Sequence, residues 1–162
     1  MKLLVLSDSH GRIERCVEVI ERERPQMLLH LGDLVRDAER LSQLFPQIPL
    51  RAVRGNGDFS SGAPERSVVE VGGVKLFLCH GHTLGVRQGT DLLLRTALAR
   101  GVQMALFGHT HRGLCELREG VWILNPGSLT EPRGCPPSYV LVTLSKEGPR
   151  ARVVPFERDA YR

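Results

Sequence analysis

Five apolar runs in this 162-residue chain stop at side chains that can bind a metal ion or move a proton. The run Lys2–Leu6 is followed by Asp8 and His10, and the run ending at Leu31 by Asp33. Asn56 and Asp58 follow the run ending at Val53, His80 and His82 the run ending at Cys79, and His109 and His111 the run ending at Phe107. Carboxylate, imidazole and amide donors mixed in this way suit manganese, iron, nickel or zinc better than calcium or magnesium. Carboxylates gathered without a cation would carry a desolvation penalty that a divalent ion removes. In an extended segment alternate side chains share a side, so Asp8 with His10, and His109 with His111, are each expected to reach toward one place or toward two adjacent ions.

The elements that must position these groups are legible as apolar periodicity. Helices are expected over residues 12–24, where Ile13, Cys16, Val17 and Ile20 make one face before Pro25, and over 36–45 through Ala38, Leu41 and Phe45. A third runs from Thr90, read as its cap, to Gly101. Nine strand-like runs surround them: KLLVL, QMLLHL, PLRAV, SVVEV, VKLFLC, QMALF, GVWIL, YVLVTL and RVVPF. Strand and helix alternate in the first half, which argues for parallel units, and hairpin signals lie at Gly72-Gly73, Glu119-Gly120 and 146–149. Residues 60–67 are the most loop-like stretch. Nine strands exceed one small sheet, so the expected fold is an α/β single domain over 1–162, two packed mixed β-sheets flanked by helices in four layers. In open α/β sheets ligands gather where strands end, so the five endings should meet in one site.

The segments DSH (8–10), GD (32–33), GNGD (55–58), His80 after its strand, and GHTH (108–111), taken in order, resemble the calcineurin-like metallophosphoesterases. The short chain, the HGH at 80–82 and the NPGS at 125–128 are most similar to the small YfcE-type bacterial and archaeal phosphodiesterases. The resemblance covers residue 4 to about residue 128. It implies two divalent ions, one held by Asp8, His10 and His111 and the other by Asn56, His80 and His109, with Asp33 bridging. Manganese is the expected metal, with iron, nickel or zinc as substitutes. The implied activity is in-line attack on a small phosphodiester by a hydroxide held between the ions, with Asp33, Asn56 and His82 in catalytic roles. A phosphomonoester or nucleotide substrate, or a nuclease activity, is the alternative within the same chemistry.

One motif departs from the family pattern. Many relatives carry His where this chain has Gly57, so the site keeps a ligand and lacks a proton donor for the leaving group. Either His82 fills that role or substrates with good leaving groups are preferred, and the plainer reading of His82 is a partner that orients the site. Arg12, Arg54 and Arg112 lie within two residues of a motif and are candidate phosphate clamps, against the plainer reading of surface charge. Asp58 reads as a hydrogen-bond acceptor behind the ligands, Asp37 as a solvated helix-start carboxylate, and His30 as a hydrogen-bonded core histidine. NPGS reads equally well as a tight turn or as pocket lining.

Composition narrows the setting. The net charge of +4 comes from arginines scattered among acids, and with 5% aromatic residues few platforms exist for stacking bases, so nucleic acid is an unfavoured partner. No apolar run is long enough to span a membrane. Cys16, Cys79, Cys115 and Cys135 form no paired motif and read as reduced thiols, which suits the cytoplasm. YVLVTL is expected either to support a homo-oligomer or to close a sheet edge. A non-enzymatic alternative is a protein-binding scaffold like the retromer subunit of this fold, but scaffold relatives tend to lose a metal histidine and here each expected position is filled.

Overall fold

The computed structural model describes residues 1–157. In chain order its elements are β1 (Lys2–Leu6), α1 (Glu14–Glu23), β2 (Met27–His30), α2 (Val35–Leu44), β3 (Leu50–Ala52), β4 (Arg66–Val71) and β5 (Val74–Cys79). There follow α3 (Asp91–Ala99), β6 (Met104–Leu106), β7 (Gly113–Arg118), β8 (Val121–Pro126), β9 (Ser138–Ser145) and β10 (Gly148–Pro155). Two five-stranded sheets result, ordered β10-β9-β1-β2-β3 and β4-β5-β6-β8-β7. Both are mixed: β1, β2 and β3 run parallel, as do β5, β6 and β8, while β9, β10, β4 and β7 pair antiparallel.

The apolar runs are continuous because both faces of each sheet are covered. Leu3, Val5, Leu29 and Leu31 meet Leu76, Leu78, Met104 and Leu106 between the sheets. The alternate residues Leu4, Leu6 and Leu28 pack outward on Cys16, Val19, Ile20 and Leu41 of α1 and α2. Phe77, Cys79, Ala105 and Phe107 do the same against Leu93, Leu94 and Ala97 of α3. The layers are therefore helix, sheet, sheet, helix, as expected.

Details differ from expectation for identifiable reasons. A tenth strand, β7, went unpredicted because GLCELR is a half-exposed edge strand with no clean alternation. Residues 60–67 are not all loop, since β4 begins at Arg66. The buried stripe of α1 uses Val19 rather than Val17, and Phe45 lies just beyond α2, half-buried. Thr90 makes no side-chain cap bond; its hydroxyl instead accepts from Arg118 Nη1 at 2.9 Å. Gly101, at φ +63°, ends α3 with Gly101 N–H bonded to Leu98 O and Val102 N–H to Ala97 O, the paired bonds that a left-handed residue makes available. YVLVTL lies inside its sheet, between β1 and β10, so the edge it might have offered is closed by β10.

Candidate metal centre

Two parallel triplets put the carboxyl ends of β1, β2 and β3 opposite those of β5 and β6, and the segments leaving those ends carry the seven residues singled out from the sequence. Each chain turns sharply there. Of the seven non-glycine residues with positive φ among the described residues, five are Asp8, His10, Asp33, His109 and His111, at +47° to +67°. Such conformations cost a non-glycine residue about 1–2 kcal/mol each and persist where surrounding contacts hold them. The extended geometry expected for Asp8/His10 and His109/His111 is thus replaced by left-handed turns. Gly108 has no room for a side chain: a Cβ there would overlap Ser7 Oγ and lie 2.8 Å from Asp8 Oδ2.

Asp8 is the centre of the cluster and is fully buried. Its Oδ2 accepts from Ser7 Oγ at 2.7 Å and from the His109 backbone N–H at 3.0 Å. Its Oδ1 has no hydrogen-bond partner and faces the Nε2 atoms of His111, His80 and His10 at 3.2, 3.8 and 3.9 Å. Two of those rings are fixed from behind. His80 Nδ1 lies 2.7 Å from Leu31 O and His111 Nδ1 2.6 Å from Glu131 O, and because a carbonyl only accepts, each Nδ1 carries the proton. With Nδ1 engaged from behind, each ring turns Nε2 inward as the nitrogen left to bind a cation, the orientation that metal-binding histidines require. His80 Nε2 also faces Asn56 Oδ1 at 3.0 Å, and His10 Nε2 faces His111 Nε2 at 3.3 Å. Electron-rich atoms converge here without enough protons between them, so the residues fit divalent cations.

Donor atoms of Asp8, His10 and His111 lie within 4.8 Å of one another, and so do those of Asp8, Asp33 and His80. The first group is the one the resemblance implied. In the second, Asp8 is the carboxylate common to both groups, and Asp33 belongs to one: its Oδ1 accepts from the Gly57 N–H at 2.9 Å while Oδ2 lies 3.6 Å from His80 Nε2. The His109 ring centre is 5.1 Å from that of His80, outside both groups. His82 sits 5.4 Å from His80 and 6.2 Å from His109, ring centre to ring centre, with a buried Nδ1 that has no partner.

The electrostatics follow from this crowding. Burial pushes the Asp8 carboxyl pKa up, but His111, His80 and the Ser7 hydroxyl together outweigh it and hold the group below its ordinary 3.8. Burial, then the neighbouring His80 and Arg87, bring His109 down to about 4. Burial and His80 likewise lower His82. For His111 burial acts downward, but the adjoining Asp8 carboxylate prevails and the pKa is raised. At neutral pH His109 is therefore uncharged and can receive a cation without losing a proton, whereas His111 is the ring at which a cation would compete with a proton.

The remaining candidates divide. Asp58 is the acceptor expected of it, taking N–H groups of Gly55 (2.8 Å), Val35 (2.8 Å) and Asp33 (3.1 Å), and so tying β3 to the start of α2. Asp37 is not solvated: it is fully buried and its Oδ2 accepts from Ser9 Oγ and the Gly11 N–H, both at 2.7 Å, because the loop after β1 folds over α2. His30 is the core histidine expected, 3.0 Å from Ser9 Oγ. NPGS is a buried support: Asn125 Nδ2 donates to Gly108 O at 2.9 Å and Ser128 Oγ to Asp8 O at 2.8 Å. Arg12 is paired with Glu131 at 2.7 Å and Arg54 lies 3.8 Å from Glu65, whereas Arg112 has no carboxylate partner among the described residues and donates through Nε to Arg133 O at 3.0 Å. Glu131 was missed by sequence reasoning. It places Oε2 3.9 Å from His10 Nε2, and no periodicity or motif around SLTEPR marks it.

Comparison with known proteins accords with this geometry. Residues 1–147 match the sequence profile of the calcineurin-like phosphoesterase superfamily domain. The chain is 30% identical over 156 residues to the probable metallophosphoesterase YsnB of Bacillus subtilis, covering 94% of this chain and 89% of that protein. It is 31% identical to phosphodiesterase YfcE of Escherichia coli, covering 85% and 84%. A crystal structure of a conserved protein described as a predicted phosphoesterase from Streptococcus pneumoniae superposes with a TM-score of 0.80 at 30% identity, covering 95% of this chain and 88% of that one.

Proposed function

The chain belongs to the calcineurin-like phosphoesterase superfamily, and from that premise we propose that it is a dinuclear-metal phosphodiesterase acting on a small phosphodiester. The observation that carries the reading is the orphaned, buried Oδ1 of Asp8 facing imidazole nitrogens, two of whose rings are held with Nε2 inward. One ion would be held by Asp8, His10 and His111. Asp33, Asn56, His80 and His109 would hold the other; the resemblance makes Asp33 the bridge, and in this structure Asp8 is the carboxylate that belongs to both donor groups. Bound divalent cations supply an activated water and neutralise the phosphoryl oxygens as charge shifts in the transition state. Manganese is the metal proposed for this donor set.

The chain's own residues fix the rest. Leu31 O and Glu131 O hold the His80 and His111 protons away from the substrate. The Gly57 N–H orients Asp33, and at position 57 no side chain donates a proton to the leaving group. His82, with an unpartnered Nδ1, is the candidate for that task, and with its pKa lowered it would have to take up a proton from solvent before donating one. We assign the function to one domain spanning 1–162 in the cytoplasm, a setting consistent with four free thiols. The test is hydrolysis of bis-p-nitrophenyl phosphate with added manganese: wild type turns over, and Asp33→Ala loses activity at least a hundredfold with an unchanged circular dichroism spectrum. Retained turnover in that variant refutes the dinuclear scheme.

A further inference from the structure

A cleft of about 540 Å³ opens beside the loop that carries His109 and His111, and its walls include Arg87, Arg112 and Arg133. Thr110, the residue between the two histidines, and Phe107 at the end of the preceding strand also line it, so the cleft and the metal centre share one loop as a wall. What sets the three guanidiniums apart is that they meet in one cleft without a neutralising carboxylate, since several other described arginines, Arg36 and Arg95 among them, also lack one but stand elsewhere. Arg12, Arg22, Arg40, Arg54, Arg66, Arg118 and Arg150 each lie within 4 Å of a carboxylate, whereas among the described residues Arg87, Arg112 and Arg133 have none. Three exposed like charges around one concavity give it a positive potential that favours entry of an anion. The positions are also fixed rather than incidental. Arg112 Nε is bonded to Arg133 O, and the Arg133 N–H to His111 O at 3.2 Å, so two of the three move with the His111 loop. Arg87 acts on His109 and Arg133 on His111 by charge, which places both within electrostatic reach of the centre.

We propose that this cleft is a second phosphate subsite: the substrate is a phosphodiester that also bears a terminal phosphate, seated among Arg87, Arg112 and Arg133 while the diester lies at the metal centre. The placement of the diester rests on the phosphodiesterase reading, and that of the terminal phosphate on the cleft alone. A terminal phosphate carries about two negative charges near neutral pH and three acceptor oxygens, which matches several forked donors better than a monoanionic internal diester does.

Two measurements separate the cleft from the reaction. The first is equilibrium binding of thymidine 3′,5′-bisphosphate to the protein in EDTA, by calorimetry, for wild type and for Arg87→Ala/Arg133→Ala. The double variant should bind at least tenfold more weakly, and equal affinity, or no binding by wild type, overturns the subsite. The second compares kcat/KM for the p-nitrophenyl ester of thymidine 5′-phosphate with and without a 3′-phosphate, in the manganese-loaded enzyme. Wild type should favour the 3′-phosphorylated ester tenfold or more, and Arg87→Ala should cut that ratio at least fivefold, with Arg87→Lys falling between. A ratio near one in wild type, or a ratio unchanged by Arg87→Ala, overturns the proposal. So does a stronger preference for an ester extended by a second nucleotide through an internal diester, which would assign the cleft to oligonucleotides. Binding that depends on Arg87 and Arg133, together with turnover of neither ester, supports the subsite and refutes the phosphodiesterase reading.

Discussion

Asp8→Asn separates the cost of the buried carboxylate from its use. In the metal-free protein Oδ1 has no hydrogen-bond partner, and the nearest polar group is His111 Nε2 at 3.2 Å, a bare lone pair because the ring's proton is bonded to Glu131 O. An amide at this position keeps an oxygen for Ser7 Oγ–H and the His109 N–H and turns an NH2 donor toward that lone pair. Relief of one unsatisfied buried acceptor is worth about 1–3 kcal/mol, so with EDTA at pH 8 the variant should be the more stable protein by that amount. With manganese the sign reverses. A ligand that binds only the folded state adds about 2.7 kcal/mol at a hundredfold excess over Kd, and the variant forgoes most of this because the anion common to both donor groups is gone. The pH matters. The raised pKa of His111 means that its attraction to Asp8 contributes stability fully present below pH 6.5 and lost as the pH rises through the raised folded-state value, so the EDTA difference should be smaller at pH 5 than at pH 8. Urea midpoints with EDTA and with manganese at the two pH values measure each term. A variant that is destabilised in EDTA at pH 8, yet gains as much from manganese as wild type, refutes the assignment of Asp8.

Three further outcomes are expected. Asp58→Ala leaves three backbone N–H groups without an acceptor, at roughly 1–2 kcal/mol each, and should lower urea stability by about 3–6 kcal/mol; a loss below about 1 kcal/mol would contradict its role. Gly57→His places a Cβ 3.3 Å from Asp33 Oδ1 and 3.5 Å from Leu34 Cδ2, so the Asp33 carboxylate must give by a few tenths of an ångström, and the variant's turnover is compared between esters rather than with wild type alone. It should raise turnover of a phenyl ester about tenfold more than that of a nitrophenyl ester, with an equal effect counting against a missing proton donor. Cys16 and Cys79, buried and with thiols pushed up to about 12, should resist maleimide in the native protein while half-buried Cys115 and Cys135 react; rapid labelling of all four would show that the cores around the helices open readily.

The strands leading to the site were legible because parallel strands between two covered faces must be apolar throughout, which KLLVL, MLLHL and KLFLC satisfy. The donors were legible because each directly follows such a run. What the sequence does not disclose is how the loops reverse. Nothing in DSH or GHTH specifies the left-handed backbone at Asp8, His10, His109 and His111, which is imposed by bonds to distant segments. Asp37 was misplaced for a related reason: helix periodicity reports which side of α2 meets the sheet, and says nothing of a loop from β1 folding over its first turn. Glu131 and the cleft arginines are long-range juxtapositions of the same kind, brought together by the segment that follows β8.

The order in which these loops support one another explains how five strained residues coexist in one place. Asp58, after β3, holds the backbone of Asp33, after β2; Leu31 O, from the same β2 segment, holds His80, after β5. Asp8, after β1, holds the N–H of His109, after β6, and Ser128, after β8, holds the carbonyl of Asp8. Each ligand loop is fixed mainly by a different strand end. Two of these four bonds are made to buried carboxylates, and bonds to charged acceptors contribute about 1.5–3 kcal/mol each, enough to offset a left-handed residue. Neighbouring loops therefore stabilise one another's turns at the rim of two sheets whose cores alone leave those turns unspecified.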